Sequence, residues 1–359
     1  MNREILFHSH RQSMVESFED FNFPSTSPPK PRVVLQAKRQ THIRNYKLYH
    51  GNTLFFCEGR FLTSRAWWAF ALSLFLVVMP SVLFLVFTCP WLWHHVSPAV
   101  PIVFAYMFIL TLAAMLKTSW TDPGILPRHL DMQPWPQGDG YGLRYSSMSD
   151  YPSPKEVMIK GIPARLKYCE TCCIYRPPRA SHCRQCDNCV ENEDHHCIWL
   201  NNCIGKRNYT TFFTFIVSAT LLCCYAIAFS LSHVFRVFSQ DSVSFQQSLL
   251  RTPMSFFIAL FCILLLVPIG CLTSYHCFLV MRGVTTHEQL RANLSQTPFE
   301  GHPFDFGNPL KNMYHILCRP HNKSYIARRK FAEEVYDIEP NPLSHLSTTA
   351  TSNIPFTRE

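Results

Sequence analysis

The chain has 359 residues, a formal net charge of +9 and 47% hydrophobic residues. Its apolar residues are concentrated in a few long blocks, unlike the regularly spaced apolar positions of a soluble core, which excludes an ordinary soluble fold. Basic residues beside membrane spans, attracted to an anionic cytosolic leaflet, account for the positive charge. We therefore expect no nucleic-acid partner.

The N-terminal residues 1–45 are polar and rich in Ser and Pro, which predicts a disordered cytosolic tail. A juxtamembrane segment, 46–65, follows. It contains the apolar run 54–56 between two glycines, and this pattern predicts a short hairpin at the membrane surface.

Four apolar blocks predict transmembrane helices, because each is about long enough to cross a hydrocarbon core of about 30 Å. None of them contains Asp, Glu, Lys or Arg. Pro80 and Pro268 lie inside two of the blocks, where membrane helices tolerate proline. The sequence therefore predicts an all-α integral membrane protein. Its predicted spans are 66–88, 97–116, 212–235 and 254–281.

Lysine and arginine are distributed unequally around these spans. They are frequent before the first span and after the fourth, whereas the link 89–98 has none. Because basic residues accumulate on the cytosolic side, we expect both termini, the linker 117–164 and the C-terminal tail 282–359 to be cytosolic. Membrane lipids are expected to surround the four spans.

The segment 165–210 is rich in cysteine and lies between the second and third spans. Disulfides rarely persist in the reducing cytosol, so these thiols need another use. Repeated C-x-x-C pairs joined by histidines have the spacing of tetrahedral zinc sites. We expect a small cysteine-rich domain of β-hairpins, in the cytosolic loop between the second and third spans, that holds two structural zinc ions.

A count of candidate ligands limits the possibilities. Two tetrahedral sites need about eight ligands, and the segment offers more than that, so some candidates should be free. Neighbouring side chains in extended backbone point to opposite faces, so His182 and Cys183 should serve different metals, and only one of His195 and His196 should face a zinc. Spacing alone does not select between them. The candidates are Cys169, Cys172, Cys173, His182, Cys183, Cys186, Cys189, His195, His196, Cys197 and Cys203.

Cys197 has the surroundings of a nucleophile. His195 lies two residues before it and Asp194 precedes that histidine, so an acid, a base and a thiol occupy four residues. An aspartate that orients a histidine, which in turn activates a thiol, is the logic of an acyl-transfer triad. The alternative, that His195 and Cys197 are spare ligands or packing groups, remains open on spacing alone.

These residues resemble the DHHC-type protein S-palmitoyltransferases, named after the run that stands here at 194–197. The resemblance covers the segment from Tyr168 to Asn208 without an insertion, and further family motifs lie outside it. One departure is Ile198, where many members have proline. The runs DHHCIWLNNCIGKRNY and GNTLFFCEGR are similar to the fungal branch that palmitoylates Ras proteins. The outlying motifs are Asp122-Pro123-Gly124 after span two, Thr285-Thr286-His287-Glu288 after span four, and FDFGNPLKNMY, which contains Asn312.

The resemblance implies a role for each of these groups. Cys197 would carry palmitate as a thioester taken from palmitoyl-CoA, with His195 as base and Asp194 orienting it. The outlying motifs, namely Asp122, Pro123, Gly124, Thr285, Thr286, Glu288 and Asn312, would be structural. One zinc would be held by Cys169, Cys172, His182 and Cys189, and the other by Cys183, Cys186, His196 and Cys203.

The resemblance also implies partners and a compartment. Expected acceptors are Ras-type GTPases, with a small accessory subunit, in the endoplasmic reticulum membrane or, as a second choice, the Golgi membrane. The competing hypothesis is a non-catalytic membrane scaffold whose zinc domain binds a partner.

Overall fold

The computed structural model describes residues 35–131, 155–240, 244–291, 303–320 and 323–338. The predicted tail before residue 35, residues 132–154 of the linker and the Ser/Thr-rich end of the chain lie outside these residues. The chain divides into a compact unit, 41–332, and a second unit whose described parts are 35–40 and 333–338.

Four helices in the described residues are long and apolar enough to cross a membrane, as predicted. They are Trp67–His95, Ala99–Trp120, Tyr209–Ser239 and Pro253–Arg282, hereafter spans 1 to 4. Each ends one to seven residues beyond its predicted apolar block, because helical hydrogen bonding continues after the block ends, whereas spans 1 and 2 begin one and two residues later than predicted. A short helix, Phe245–Arg251, lies between spans 3 and 4, and two more, Thr286–Arg291 and Pro309–Leu317, follow span 4.

Span 1 differs most from its predicted bounds, since it continues from residue 88 to His95. It is built from an α-helix Trp67–Leu83, a π-helical turn Phe84–Thr88 and a final α-helix Cys89–His95. Pro90 does not end the helix because it lies in the first turn of the final segment, where a missing N–H costs no hydrogen bond. Pro80 and Pro268 lie inside helices, which confirms that these spans tolerate them.

Apolar packing and hydroxyl contacts hold the spans together. One buried cluster joins spans 2, 3 and 4 near the cysteine-rich domain and includes Met115, Phe212 and Val280. Farther along the bundle, Ser255 Oγ lies 2.9 Å from Thr88 Oγ1. Such contacts satisfy polar groups that the hydrocarbon core would leave without water.

The cysteine-rich domain consists of three short antiparallel hairpins, as the fold class predicts. Two of them place ligand candidates directly opposite each other: His182 pairs with Cys189, and His196 with Cys203. The domain therefore presents its thiols and imidazoles in cross-strand pairs. The strands are β6 Tyr168–Cys169, β7 Ile174–Tyr175, β8 Ser181–Cys183, β9 Asn188–Val190, β10 His195–Cys197 and β11 Asn202–Ile204.

The remaining strands form three two-stranded sheets. The predicted juxtamembrane hairpin is confirmed as β2 Leu54–Phe56 and β3 Phe61–Thr63. A further hairpin, β4 Lys155–Ile159 and β5 Ile162–Leu166, precedes the cysteine-rich domain. The predicted disorder of 1–45 is wrong for residues 35–45, because β1 Leu35–Arg44 pairs with β12 Phe331–Ile338 and a 3₁₀ turn begins at Asn45. Its partner strand lies near the other end of the chain, so no local pattern announced it.

Candidate active site and metal centres

The first ligand cluster brings together Cys169, Cys172, His182 and Cys189, with all ligand atoms within 4.8 Å of one another. His182 Nδ1 lies 3.5, 3.4 and 3.8 Å from the three sulfurs, in chain order. A tetrahedral zinc with Zn–S bonds of about 2.3 Å and Zn–N bonds of about 2.0 Å requires S···N separations of about 3.5 Å. The donor atoms therefore fit zinc.

The second cluster comprises Cys183, Cys186, His196 and Cys203, again with all ligand atoms within 4.8 Å. His196 Nδ1 lies 3.6, 3.3 and 3.5 Å from the three sulfurs, in chain order. These separations also match a tetrahedral Cys3His zinc site. Both clusters could hold zinc with three protein sulfurs and one nitrogen, an arrangement without an open position for catalysis at the metal.

The two clusters leave Cys173, His195 and Cys197 outside. His182 and Cys183 fall in different clusters, and His196 rather than His195 faces a cluster, as alternation along extended strands requires. The first cluster has an outer partner, since Asp187 Oδ1 lies 3.6 Å from His182 Nε2. A carboxylate in that position fixes the orientation of a metal-binding imidazole.

His195 and Asp194 form a directly bonded pair. His195 Nδ1 lies 2.7 Å from Asp194 Oδ2, and the Asp194 side chain is 1% exposed. The other oxygen, Oδ1, accepts the backbone N–H of Thr286 at 2.9 Å. With Nδ1 engaged by the carboxylate, Nε2 is the nitrogen available to a thiol.

The charges of this pair stabilise each other. Burial raises the pKa of Asp194, but the hydrogen bond from His195, the charges of His195 and His276, and the hydrogen bond from Thr286 together outweigh burial and lower the net pKa. Burial likewise lowers the pKa of His195, yet its contacts with Asp194 and Cys197 prevail and raise that pKa to about 10. Pairing of His195 with Asp194 therefore favours an imidazolium beside Cys197 at neutral pH, although burial alone would oppose that charge.

Cys197 lies at one end of a cavity of about 630 Å³ within the bundle of spans. The lining on span 3 runs from Phe212 to Ala226, a rise of about 21 Å at 1.5 Å per residue. The wall is predominantly apolar, with Trp199 near the thiol and Cys262 deeper in the bundle. Such a cavity suits a long apolar group attached at Cys197.

His276 is a site residue that sequence reasoning missed. It lies in span 4, is 1% exposed, and has a ligand atom within 4.8 Å of those of Asp194 and His195. Its Nδ1 lies 3.1 Å from Tyr209 Oη, and its ring packs edge-on against Phe212. An ionisable residue inside an apolar span was the available signal.

The Asp122-Pro123-Gly124 motif connects the end of span 2 to the cysteine-rich domain. Asp122 is buried and accepts the backbone N–H groups of Gly124 and Ile125 at 2.9 and 3.0 Å, as well as Arg207 Nη1 at 2.6 Å. The carbonyl of Pro123 accepts the Arg207 N–H at 3.1 Å. Gly124 has φ of 115°, which a side chain would strain.

The motif after span 4 contacts the same domain. Thr285 and Glu288 cap each other reciprocally at the start of helix Thr286–Arg291, with N–H···O distances of 2.8 and 3.1 Å. Glu288 also accepts two hydrogen bonds from Arg179, at 2.8 and 2.7 Å. Asn312 is buried and donates to Met281 O at 2.9 Å, which fixes the tail against the end of span 4.

Comparison with known proteins is consistent with this geometry. The family model described as DHHC palmitoyltransferase matches residues 162–293. Palmitoyltransferase erf2 of Schizosaccharomyces pombe is 41% identical over 297 residues, which cover 79% of this chain and 81% of that protein. Palmitoyltransferase ZDHHC14 of Homo sapiens is 36% identical over 323 residues, covering 86% of this chain and 63% of that protein.

Four helices that could span a membrane, together with two Cys3His clusters that could hold zinc, define a multi-pass membrane protein with a cysteine- and histidine-rich domain. The chain belongs to the DHHC palmitoyltransferase family. Palmitoyltransferase erf2 of Aspergillus fumigatus is 40% identical over 298 residues, covering 81% of this chain and 48% of that protein. The chain spans about half the length of the erf2 relatives from Aspergillus and Emericella.

Proposed function

We propose that the protein transfers palmitate from palmitoyl-CoA to cysteines of membrane-associated proteins through a thioester on Cys197. The observation that carries the proposal is the position of Cys197: it lies outside both metal clusters, beside His195, at the end of an apolar cavity. Family membership supports the same chemistry.

In the first step, the thiol proton of Cys197 passes to Nε2 of His195, whose Nδ1–H is held by Asp194. The sulfur attacks the thioester carbonyl carbon of palmitoyl-CoA, and the bond from that carbon to the CoA sulfur breaks. The departing CoA thiolate takes the proton from the imidazolium. The raised pKa of His195 supports a resting imidazolium, so the charged pair precedes substrate binding.

In the second step, the thiol of an acceptor cysteine gives its proton to Nε2 of His195 and its sulfur attacks the carbonyl carbon of the Cys197 thioester. The bond from that carbon to the Cys197 sulfur breaks, and the departing thiolate takes the proton back from the imidazolium. The two thioesters have similar bond energies, so no further energy source is required. The acyl chain would occupy the cavity, whose depth of about 21 Å along span 3 is comparable to an extended palmitoyl chain. Zinc, when bound in the two clusters, would supply rigidity to strands β8 to β11.

We propose Ras-type GTPases as acceptors, together with a small accessory subunit and residence in the endoplasmic reticulum membrane, with the Golgi membrane as the alternative. Support comes from the runs at 194–209 and 51–60, which resemble the fungal Ras branch. A second lipid gives a prenylated protein stable membrane anchoring, which explains the use of such a modification. Co-purification from the native host tests the accessory subunit, and comparison of palmitate on Ras-type proteins with and without this chain tests the acceptor.

A loading assay tests the central proposal. Purified protein in detergent is incubated with a clickable palmitoyl-CoA analogue, and hydroxylamine-labile label is quantified. We expect label in wild type, none in Cys197→Ser, and wild-type label in the matched control Cys173→Ser, which removes a thiol outside both clusters. Label that persists in Cys197→Ser contradicts the mechanism and favours a scaffold with incidental acylation.

A further inference from the structure

His287 is the third residue of the Thr285-Thr286-His287-Glu288 motif and contacts two parts of the cysteine-rich domain. Its Nδ1 lies 2.6 Å from Glu193 Oε2, and its Nε2 lies 3.0 Å from Ser181 Oγ. The Nδ1 contact lacks hydrogen-bond alignment, so it is an electrostatic contact that is attractive when Nδ1 carries a proton.

The surroundings of the contact are largely closed to water. The side chains of Glu193 and His287 are 7% and 23% exposed, and Ser181 is buried. A buried carboxylate is costly without a partner, so removing the partner of Glu193 costs more than breaking a surface ion pair would. The contact therefore restricts how far the segment after span 4 can move from strand β10.

The contact lies next to the site. Glu193 precedes Asp194, and His287 follows Thr286, whose N–H binds Asp194 Oδ1 at 2.9 Å. The two contacts, 193 with 287 and 194 with 286, run in antiparallel register along neighbouring segments. A shift at the first contact must therefore move the donor at the second, and with it the carboxylate that holds His195.

We propose that His287, held between Glu193 and Ser181, is a positioning residue that sets Asp194 and, through it, the orientation of His195. This inference rests on the proposed acyl transfer. His287 is not among the residues that line the cavity. Ser181 extends the effect to strand β8, because it precedes His182 of the first metal cluster and Cys183 of the second.

The test compares Glu193→Gln, His287→Gln and the double variant with wild type, with the exposed His50→Ala as control. Glu193→Gln removes the charge at nearly constant shape. The amide of His287→Gln retains a donor for Glu193 and an acceptor for Ser181. Three quantities are measured: zinc per chain, the alkylation rate of Cys197 by iodoacetamide at fixed neutral pH, and the initial loading rate against palmitoyl-CoA concentration.

We expect Glu193→Gln to slow both alkylation and maximal loading by about 5-fold to 50-fold with unchanged KM and zinc content, since displacements near 1 Å cost up to about 10²-fold. His287→Gln should stay within about 3-fold of wild type, and the double variant should be no slower than Glu193→Gln.

Wild-type rates in Glu193→Gln overturn the inference, as does a rate loss that only parallels zinc loss or a double variant whose defects multiply. The alkylation rate separates this inference from the proposed function, because it does not require acyl transfer. Wild-type protein that alkylates at Cys197 but fails to load overturns the proposed function instead.

Discussion

The carboxylate of Asp194 has a different partner on each oxygen. His195 Nδ1 binds Oδ2 from within the DHHC run, and Thr286 N–H binds Oδ1 from the segment after span 4. The carboxylate thus connects the DHHC run to the segment after span 4. Its burial makes both contacts necessary, because a buried charge without partners is strongly destabilising.

Asp194→Asn should leave the fold intact and slow loading of Cys197 by about 10²-fold to 10⁴-fold, as loss of the orienting carboxylate does in acyl-transfer triads. The amide oxygen can still accept the Thr286 N–H, but an amide no longer favours the protonated imidazole. Loading is measured by hydroxylamine-labile label at early times. Glu58→Gln, which alters an exposed carboxylate, should load normally. Unchanged loading in Asp194→Asn would remove the carboxylate from the mechanism.

The charged pair also predicts a pH dependence of stability. The pKa of His195 is raised from 6.5 to about 10, so its stabilising contribution is complete below pH about 6.5, declines as pH rises and is lost above about 10. The pKa of Asp194 is lowered from 3.8, so its contribution is present above about 3.8 and is lost as pH falls through the lowered value. The stability advantage of wild type over His195→Gln should therefore be largest between these limits.

Thermal unfolding of both proteins in detergent, with zinc present, measures that difference at each pH. Subtracting the two curves removes titrations that the proteins share, including those of the metal ligands. An advantage that increases from pH 7 to pH 10 would have the wrong sign for a raised His195 pKa.

At the scale of single residues, the local sequence was sufficient to predict that Asp194, His195 and Cys197 lie together, but it did not predict their neighbour His276. Asp194, His195 and Cys197 are consecutive or nearly so, and the run itself indicated them. His276 lies about 80 residues away, in a span whose apolar composition predicts only a helix. Its place beside His195 follows from the packing of span 4, which spacing does not encode.

Among the secondary-structure elements, the hairpins of the cysteine-rich domain explain the ligand pairs. The number and the spacing of the ligands predicted two tetrahedral sites. They did not predict which of His195 and His196 faces a metal cluster. The choice follows from register: His196 lies opposite Cys203 in β10 and β11. Register depends on the turn between the strands, where Asn201 has a φ of 50°, and this was not readable from ligand spacing alone.

Gly205 supports this arrangement by allowing close approach. A Cβ there would lie 2.6 Å from Val190 Cγ1 and 2.7 Å from Pro123 O. A side chain at position 205 would therefore push the Asp122-Pro123-Gly124 motif away from the cysteine-rich domain. Gly205→Ala should destabilise the fold by about 1–3 kcal/mol, as overpacking does. Gly270→Ala, inside span 4, meets its nearest atom at 3.9 Å and should be neutral or slightly stabilising.

Thermal unfolding and zinc retention of the two alanine variants test this contrast. Equal stability of Gly205→Ala and wild type would show that the contact between β9 and the Asp122 motif can open without cost.

At the scale of the molecule, segments that lie far apart along the chain contact the cysteine-rich domain. Asn52 N–H binds Cys186 O at 3.0 Å before span 1, and Tyr325 Oη binds Glu191 Oε2 at 2.8 Å after span 4. The segments before span 1 and after span 4 therefore contact the same domain, which lies between spans 2 and 3. These contacts require the segment before span 1, the cysteine-rich domain and the segment after span 4 to lie on one side of the membrane. Two spans separate each of them from the next, which meets that requirement.

The positive-inside bias predicts that this side faces the cytosol, and cysteine labelling tests that prediction. The exposed Cys57 and Cys318 lie before span 1 and after span 4, and Gln246→Cys adds an exposed thiol between spans 3 and 4. In sealed microsomes with the cytosolic face outward, an impermeant maleimide should label Cys57 and Cys318, whereas the thiol at position 246 should react only after permeabilisation. Labelling of all three before permeabilisation would contradict the four-span arrangement. Labelling of position 246 alone would show that the orientation is the reverse of the predicted one, because the contacts through Cys186 and Glu191 keep Cys57 and Cys318 on the same side.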